Sequence, residues 1–200
     1  MKRVRSIKKK ESKRPQQLII AGITIFIMLS SVLGYLGSRV GGGGSIKYKN
    51  FRFRVLENGM YATTIANKQF RFNFLPQALS NMSFDPSILA PIKQTRLLYT
   101  TSEFDSPIKE SMSETEYLLG EGLYAMGKYT IPGYTTNTTT QRPVITCENA
   151  TAFVPVIMLK YSNETKAWLE GNCLIIQANT RVDFLAYKDR ILYGLLGVLE

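Results

Sequence analysis

Histidine is absent from all 200 residues, cysteine occurs only twice, and tryptophan once. Without imidazole the chain builds no Ser-His-Asp or Cys-His nucleophile system, no His-ligated zinc site and no imidazole acid/base pair. Two cysteines cannot complete a four-cysteine zinc site, and no Cys-x-x-Cys redox motif occurs. Acidic residues are scarce at the N-terminus: residues 1–45 hold nine basic residues and one acid, Glu11. Of the net charge of +10, only +2 therefore falls on residues 46–200, where sixteen basic residues face fourteen acidic ones. Apolar residues are plentiful, at 44%. That is too apolar for a disordered chain and enough for residues 46–200 to bury a core.

The longest feature without charge runs from Leu18 to Leu36, preceded by a tail that includes Lys8, Lys9, Lys10, Lys13 and Arg14. Nineteen helical residues measure about 28 Å, close to the thickness of a bilayer core. The run is longer than the apolar region of a cleaved signal, and Val32-Leu33-Gly34 is only a faint cleavage site. An uncleaved signal anchor over 18–37 is the expectation, with a cleaved signal or a buried soluble helix as the alternatives. The basic excess before the run keeps the tail, residues 1–17, in the cytoplasm and sends the remainder across. The tail's partners are the lipid bilayer and its anionic head groups in this reading, with nucleic acid the less favoured alternative. Residues 38–45 include Gly41-Gly42-Gly43-Gly44-Ser45, a flexible linker that matches synthetic spacers in composition.

Residues 46–200 read as one α+β domain, with a mainly antiparallel sheet and a C-terminal helix packed on it. Tyr48 to Val55 reads as one strand with an apolar and a charged face, followed by strands over Met60–Ile65 and Gln69–Leu75. Arginine interleaved with phenylalanine also suggests an RNA-binding sheet, but the glycine-containing signature of that sheet is missing and a half-buried strand explains the pattern. Thr95–Thr101 is a further strand, and Ile108–Met126 a helix that Gly120 and Gly122 should kink. Pro132–Pro143 is polar and predicts an exposed loop. Phe153–Tyr161, Ala167–Leu169 and Cys173–Gln177 predict strands separated by turns, and Thr180 with Asp183 predicts the start of the last helix.

Cys147 and Cys173 are expected to form a disulfide in an oxidising compartment, two free buried thiols being the alternative. Sequons at Asn81, Asn137, Asn149 and Asn163 all fall on the expected outer side and are open to glycan attachment. Three motif matches read as chance. Gly122-Leu123-Tyr124-Ala125-Met126-Gly127-Lys128-Tyr129 has Tyr129 where a P-loop needs a Ser or Thr hydroxyl, and Gly120–Ala125 matches the dinucleotide pattern without a buried strand before it. Ser106-Pro107-Ile108-Lys109 has the Ser-x-x-Lys spacing of penicillin-binding enzymes but none of their companion motifs. Glu114, Glu116 and Glu121 leave carboxylate catalysis formally open, although acids on a helix usually form its solvated face.

Three stretches, Pro143–Thr151 (PVITCENAT), Gly171–Ile176 (GNCLII) and Asp189–Gly197 (DRILYGLLG), resemble a group of uncharacterised archaeal single-pass membrane-anchored envelope proteins. The resemblance is confined to residues 143–200 and the anchor-and-domain layout. It implies an archaeal envelope location and carries no activity. The function expected is a membrane-anchored extracytoplasmic binding or structural protein of the cell envelope, its partner another envelope protein or a glycan. The alternative is an anchored enzyme acting on envelope polymers or glycans. No catalytic, cofactor-binding or metal residue is assigned.

Overall fold

The computed structural model describes Met28 and residues 44–199. The predicted tail, the predicted span apart from Met28 and the linker up to Gly43 lie outside the described residues. Among the described residues no helix is long and apolar enough to cross a membrane. From Gly44 onward the chain forms a compact unit of its own.

An antiparallel meander comes first: β1 (Ser45–Tyr48), β2 (Phe51–Val55), β3 (Tyr61–Ile65) and β4 (Lys68–Phe72), in that order. The single strand expected over Tyr48–Val55 is a hairpin. The alternation slips by one residue between Tyr48 and Phe51, and the slip is the turn, where Lys49 takes a φ of 48°. Ala66 and Asn67, both at positive φ, make the tight β3–β4 turn that matches strand twist. Phe53, Phe70 and Phe72 point inward and are buried, whereas Lys47, Arg52, Arg54 and Arg71 are exposed.

Short helical turns at α1 (Pro76–Leu79), a 3-10 turn (Pro86–Leu89) and α2 (Ala90–Gln94) lead to the second sheet. It contains β5 (Leu97–Ser102), β6 (Tyr129–Tyr134), β7 (Val156–Tyr161), β8 (Lys166–Glu170) and β9 (Cys173–Ala178), ordered β6-β5-β7-β9-β8. The expectation of a mainly antiparallel sheet fails here: β6, β5, β7 and β9 run parallel, and only β8 is antiparallel. The cause is the connections. The helix α3 (Lys109–Ala125) carries β5 over to β6, the long segment 135–155 returns to the far side of β5, and β9 inserts between β7 and β8 instead of letting them pair. Residues Pro132–Tyr134, expected in a loop, extend β6. Strand β7 starts at Val156, after Pro155, so Phe153 is 86% exposed.

The second sheet buries both faces. Leu98, Ile157, Leu159, Leu174 and Ile176 face the helices, while Val156, Cys173 and Ile175 pack under Ile145 on the other side. There the disulfide Cys147–Cys173 pins residues 143–149 to the start of β9. The cross-link closes a loop whose ends are 26 residues apart, which contributes about 3–4 kcal/mol on a chain-entropy basis.

The glycines do not break α3, which is helical throughout Lys109–Ala125. An added Cβ on Gly122 would lie 2.6 Å from Leu192 Cδ1, and one on Gly120 3.1 Å from Thr130 Oγ1. These glycines let α3 approach its neighbours closely, and that packing outweighs their helix cost of about 1 kcal/mol each.

The last helix, α4 (Arg181–Leu195), starts at Thr180, whose Oγ1 accepts from Asp183 N. Tyr187 to Gly194 are all buried, because α4 packs against α3, β9, α1 and the 3-10 turn and meets the meander through Tyr193. Tyr193 stacks on Phe72 with ring centroids 4.0 Å apart, while other residues of α4 meet β9. Lys188 and Asp189 are almost inaccessible and form an ion pair. Asp189 Oδ2 accepts from Asn73 N at 2.7 Å and Phe74 N at 2.8 Å, Lys188 Nζ donates to Asn73 Oδ1 at 2.9 Å, and Tyr193 Oη donates to Phe74 O at 2.8 Å. Burial pushes the Asp189 carboxyl up to about 6, against the pull of Lys188 and the two backbone donors.

Removing one partner of a buried ion pair typically costs about 3–5 kcal/mol, because the other charge is stranded. Asp189→Asn is expected to destabilise by that amount in denaturant unfolding, and Lys188→Met in the same chain to recover part of the loss. A single variant within about 1 kcal/mol of the parent would show that the pair does not hold the β4–α1 connection.

Candidate functional site

On α3 the buried side is set by Met112, Thr115, Glu116, Leu119 and Leu123, spaced as one helical face. Glu116 thus occupies a position where periodicity calls for an apolar residue. Its side chain is 6% exposed and stands over β5. Thr100 and Ser102, on the helix-facing side of that strand, present hydroxyls that favour its charged form. Thr101 points the other way and donates to Ile145 O at 2.8 Å.

Neither carboxylate oxygen of Glu116 makes a well-formed hydrogen bond, although the Thr100 and Ser102 hydroxyls are near enough to act on its charge. Arg142 Nη1 comes to 3.5 Å of Oε2 from the solvent side. Burial outweighs that charge and pushes the carboxyl up to about 7. The other acids of α3 differ. Glu114 is clamped by two 2.6 Å contacts from Arg181, which hold its pKa below the usual carboxylate range. Glu121 is exposed, with Arg71 at 3.7 Å. The expectation of a solvated acidic face therefore fails only at Glu116.

Glu116 lines a pocket of about 390 Å³ between α3 and β6, together with Thr100, Thr130, Pro132 and Arg142. Tyr117 and Tyr124, exposed at 71% and 67%, stand on its helical wall. A second pocket of about 430 Å³ adjoins it at Ser113, lined by Ser102, Glu103, Phe104, Lys109 and Tyr134. A third, also about 430 Å³, lies on the β4 side of Glu121 and Tyr124. The three hollows follow α3, a helix about 25 Å long. The second sits at the carboxyl end of β5, where the chain departs to β6 on one side and β7 lies on the other. In parallel sheets this reversal of strand order opens a crevice for ligands.

Aromatic and cationic side chains connect the first two pockets. Arg142 lies 5.0 Å from the Tyr134 ring centroid, Tyr134 meets Phe104 edge-on at 5.1 Å, and Lys109 Nζ is 5.4 Å from the Phe104 centroid. Glu103 Oε2 accepts from Tyr161 N at 2.8 Å, fixing the mouth to the end of β7. The β6 edge presents little free backbone, since Pro132 has no N–H and Tyr134 N donates to Pro143 O. A ligand in this groove meets side chains, not a strand ladder.

The motif matches resolve by geometry. Ser106 lies in the turn before α3, where its Oγ accepts from Ile108 N at 3.4 Å, while the Lys109 ammonium lies over Phe104. Serine and lysine are thus not presented from one helix, as the Ser-x-x-Lys arrangement requires. Gly120 to Ala125 are helical, which leaves no phosphate cradle. Lys128 donates to the carbonyls of Ile92, Lys93 and Thr95 and so caps the end of α2. Asn81, Asn137, Asn149 and Asn163 are exposed, and Asn149 Oδ1 also accepts from Thr146 N at 2.8 Å. Among the described residues no group of three or more acids or cysteines is arranged to hold a metal ion. Sequence reasoning named Glu116 but passed over Arg142, Tyr117 and Tyr124. The available signal was a glutamate on the apolar stripe of α3, with tyrosines at Tyr117 and Tyr124, two turns apart on the neighbouring stripe.

No protein-family model, no curated protein and no solved structure matches this chain.

The raised Glu116 pKa fixes the sign of a pH effect. Below about pH 4.5 the group is protonated in folded and unfolded chains alike and contributes no difference. As the pH rises toward about 7 the unfolded chain loses its proton first, so stability falls, by about 3 kcal/mol once both forms are ionised. Glu116→Gln is expected to melt higher than the parent at about pH 8 and nearly level with it at about pH 5. Equal destabilisation at both values would mean that Glu116 is ionised and well paired.

Proposed function

We propose that this protein is a membrane-anchored extracytoplasmic binding protein of the cell envelope, and that the groove along α3 holds its ligand. The anchor in this reading is the Leu18–Leu36 run, with the N-terminus in the cytoplasm; the archaeal resemblance of residues 143–200 supports the envelope setting. One observation carries the binding reading: Glu116 is a buried carboxyl pushed up to about 7, on the wall of an open pocket beside Arg142, with neither oxygen in a well-formed hydrogen bond. A buried polar group without a well-formed partner calls for one, and beside an open pocket a ligand can supply it. Tyr117 and Tyr124 add flat faces, and Thr100, Ser113 and Thr130 add hydroxyls. Flat rings beside hydroxyl, carboxyl and guanidinium groups suit a saccharide chain, whose apolar ring faces stack while its hydroxyls donate to Glu116.

A second reading, an enzyme acting on the same polymers, is favoured by a carboxyl that titrates near neutrality, as a general acid does. It is the lesser reading because glycoside hydrolysis uses two carboxyl groups, and Glu121, the other acid on this pocket, is engaged with Arg71.

Calorimetric titration of the purified protein with envelope oligosaccharides is expected to show binding that Tyr117→Ala and Tyr124→Ala each weaken about fivefold, and Glu116→Gln about tenfold or more. Cleavage of the saccharide, lost in Glu116→Gln, would establish the enzyme instead. External protease on sealed cells is expected to remove residues 46–200. A domain protected from it would overturn the extracytoplasmic assignment.

A further inference from the structure

The meander presents a solvent face with charges of one sign. Lys47, Arg52, Arg54 and Arg71 are all exposed and share that face by register: Lys47 is paired with Arg52, and Arg54 with Ala62, which is in turn paired with Arg71. The same alternation places Ser45, Thr64 and Gln69 there and no acid. Two cations directly opposite on neighbouring strands disfavour the sheet, so the Lys47–Arg52 pair works against folding. Among the described residues Arg71 alone of the four is relieved by a salt bridge, to Glu121. Residues 46–200 carry only +2 in total, so the rest of the domain is slightly acidic and the positive potential is concentrated on this face. A shallow depression of about 430 Å³ lies on it, with Ala62 beside Arg52 and Arg54 and with Thr64 and Gln69 at its edge.

We propose that this face of β1–β4 binds the anionic head groups of a lipid bilayer. The guanidinium groups of Arg52 and Arg54 pair with a lipid phosphate, and Thr64 and Gln69 meet the head group's hydroxyls. The choice of a bilayer follows from charge complementarity and from the chain. Eight residues, 37–44, separate the apolar run from β1, a reach of at most about 29 Å. On the reading that the run spans the membrane, the head groups are the anionic surface the sheet meets first. The domain is then held down at two places, and its α3 groove takes a set orientation to the membrane.

The test uses residues 44–200, which contain the whole compact unit and its core. The fragment is sedimented with phosphatidylcholine vesicles, with and without phosphatidylglycerol. It is expected to partition onto the anionic vesicles only, and to leave them at roughly 1 M salt, where screening is nearly complete within about 3 Å. The triple variant Lys47→Gln, Arg52→Gln, Arg54→Gln is expected to lose about a hundredfold in partitioning, near fivefold per charge, with a melting temperature at or above the parent's, since the repulsion between Lys47 and Arg52 is removed. Equal binding to neutral vesicles overturns the proposal, as does undiminished binding by the folded triple variant. Tight binding of soluble heparin or RNA without vesicle binding also overturns it and makes the face a polyanion site. Because the fragment lacks residues 18–36, its result and that of the topology experiment fail independently.

Discussion

The buried Lys188–Asp189 pair is the constraint on which the domain's arrangement depends. Burying an ion pair is costly unless further hydrogen bonds support it, and here Asp189 Oδ2 and Lys188 Nζ take theirs from one place, the β4–α1 connection at Asn73 and Phe74. With Tyr193 also bound to Phe74 O, that turn is fastened to α4. The meander, which ends at Phe72, is thereby held against the helix, where Phe72 stacks on Tyr193. With α3, β9, α1 and the 3-10 turn also packed on it, α4 buries eight consecutive residues.

Glu116 shows the opposite treatment of the same kind of group. Asp189 is supplied with a cation and two backbone donors, whereas Glu116 receives an arginine at 3.5 Å and no well-formed hydrogen bond. Both carboxyls are raised by burial, yet only one opens onto a pocket. Each also keeps oxygen without a well-formed hydrogen bond, Oδ1 in Asp189 and both in Glu116, so what separates them is the ion pair and backbone donors of Asp189 against the open volume beside Glu116. Tyr117 and Tyr124 stand exposed on the same wall, so the pocket combines aromatic faces with a buried carboxyl.

The two ends of the domain's charge distribution suit different partners. The groove along α3 mixes carboxyl, hydroxyl and aromatic groups, while the outer face of β1–β4 is basic throughout. The two surfaces meet at β4, where Gln69 and Arg71 border the hollow beside Glu121; on the proposed reading one addresses a polymer while the other faces the membrane.

Local patterns in the chain determined a good deal. The alternation of Phe53, Phe70 and Phe72 with arginines determined the two faces of the meander, because a strand repeats every two residues. Thr180 determined the start of α4, and the cysteine pair determined the cross-link, because each needs only a short-range cap or one pairing in an oxidising setting. Tertiary structure alone decided the rest. Whether strands pair in parallel depends on where α3 and residues 135–155 carry the chain, and a strand's own residues do not encode its neighbour. Gly120 and Gly122 would weaken an isolated helix, but in the fold they admit Thr130 and Leu192. Glu116 reads as one more helical acid until β5 and Arg142 surround it. Its burial and raised pKa come from groups distant in the chain, and only the packed structure brings them together.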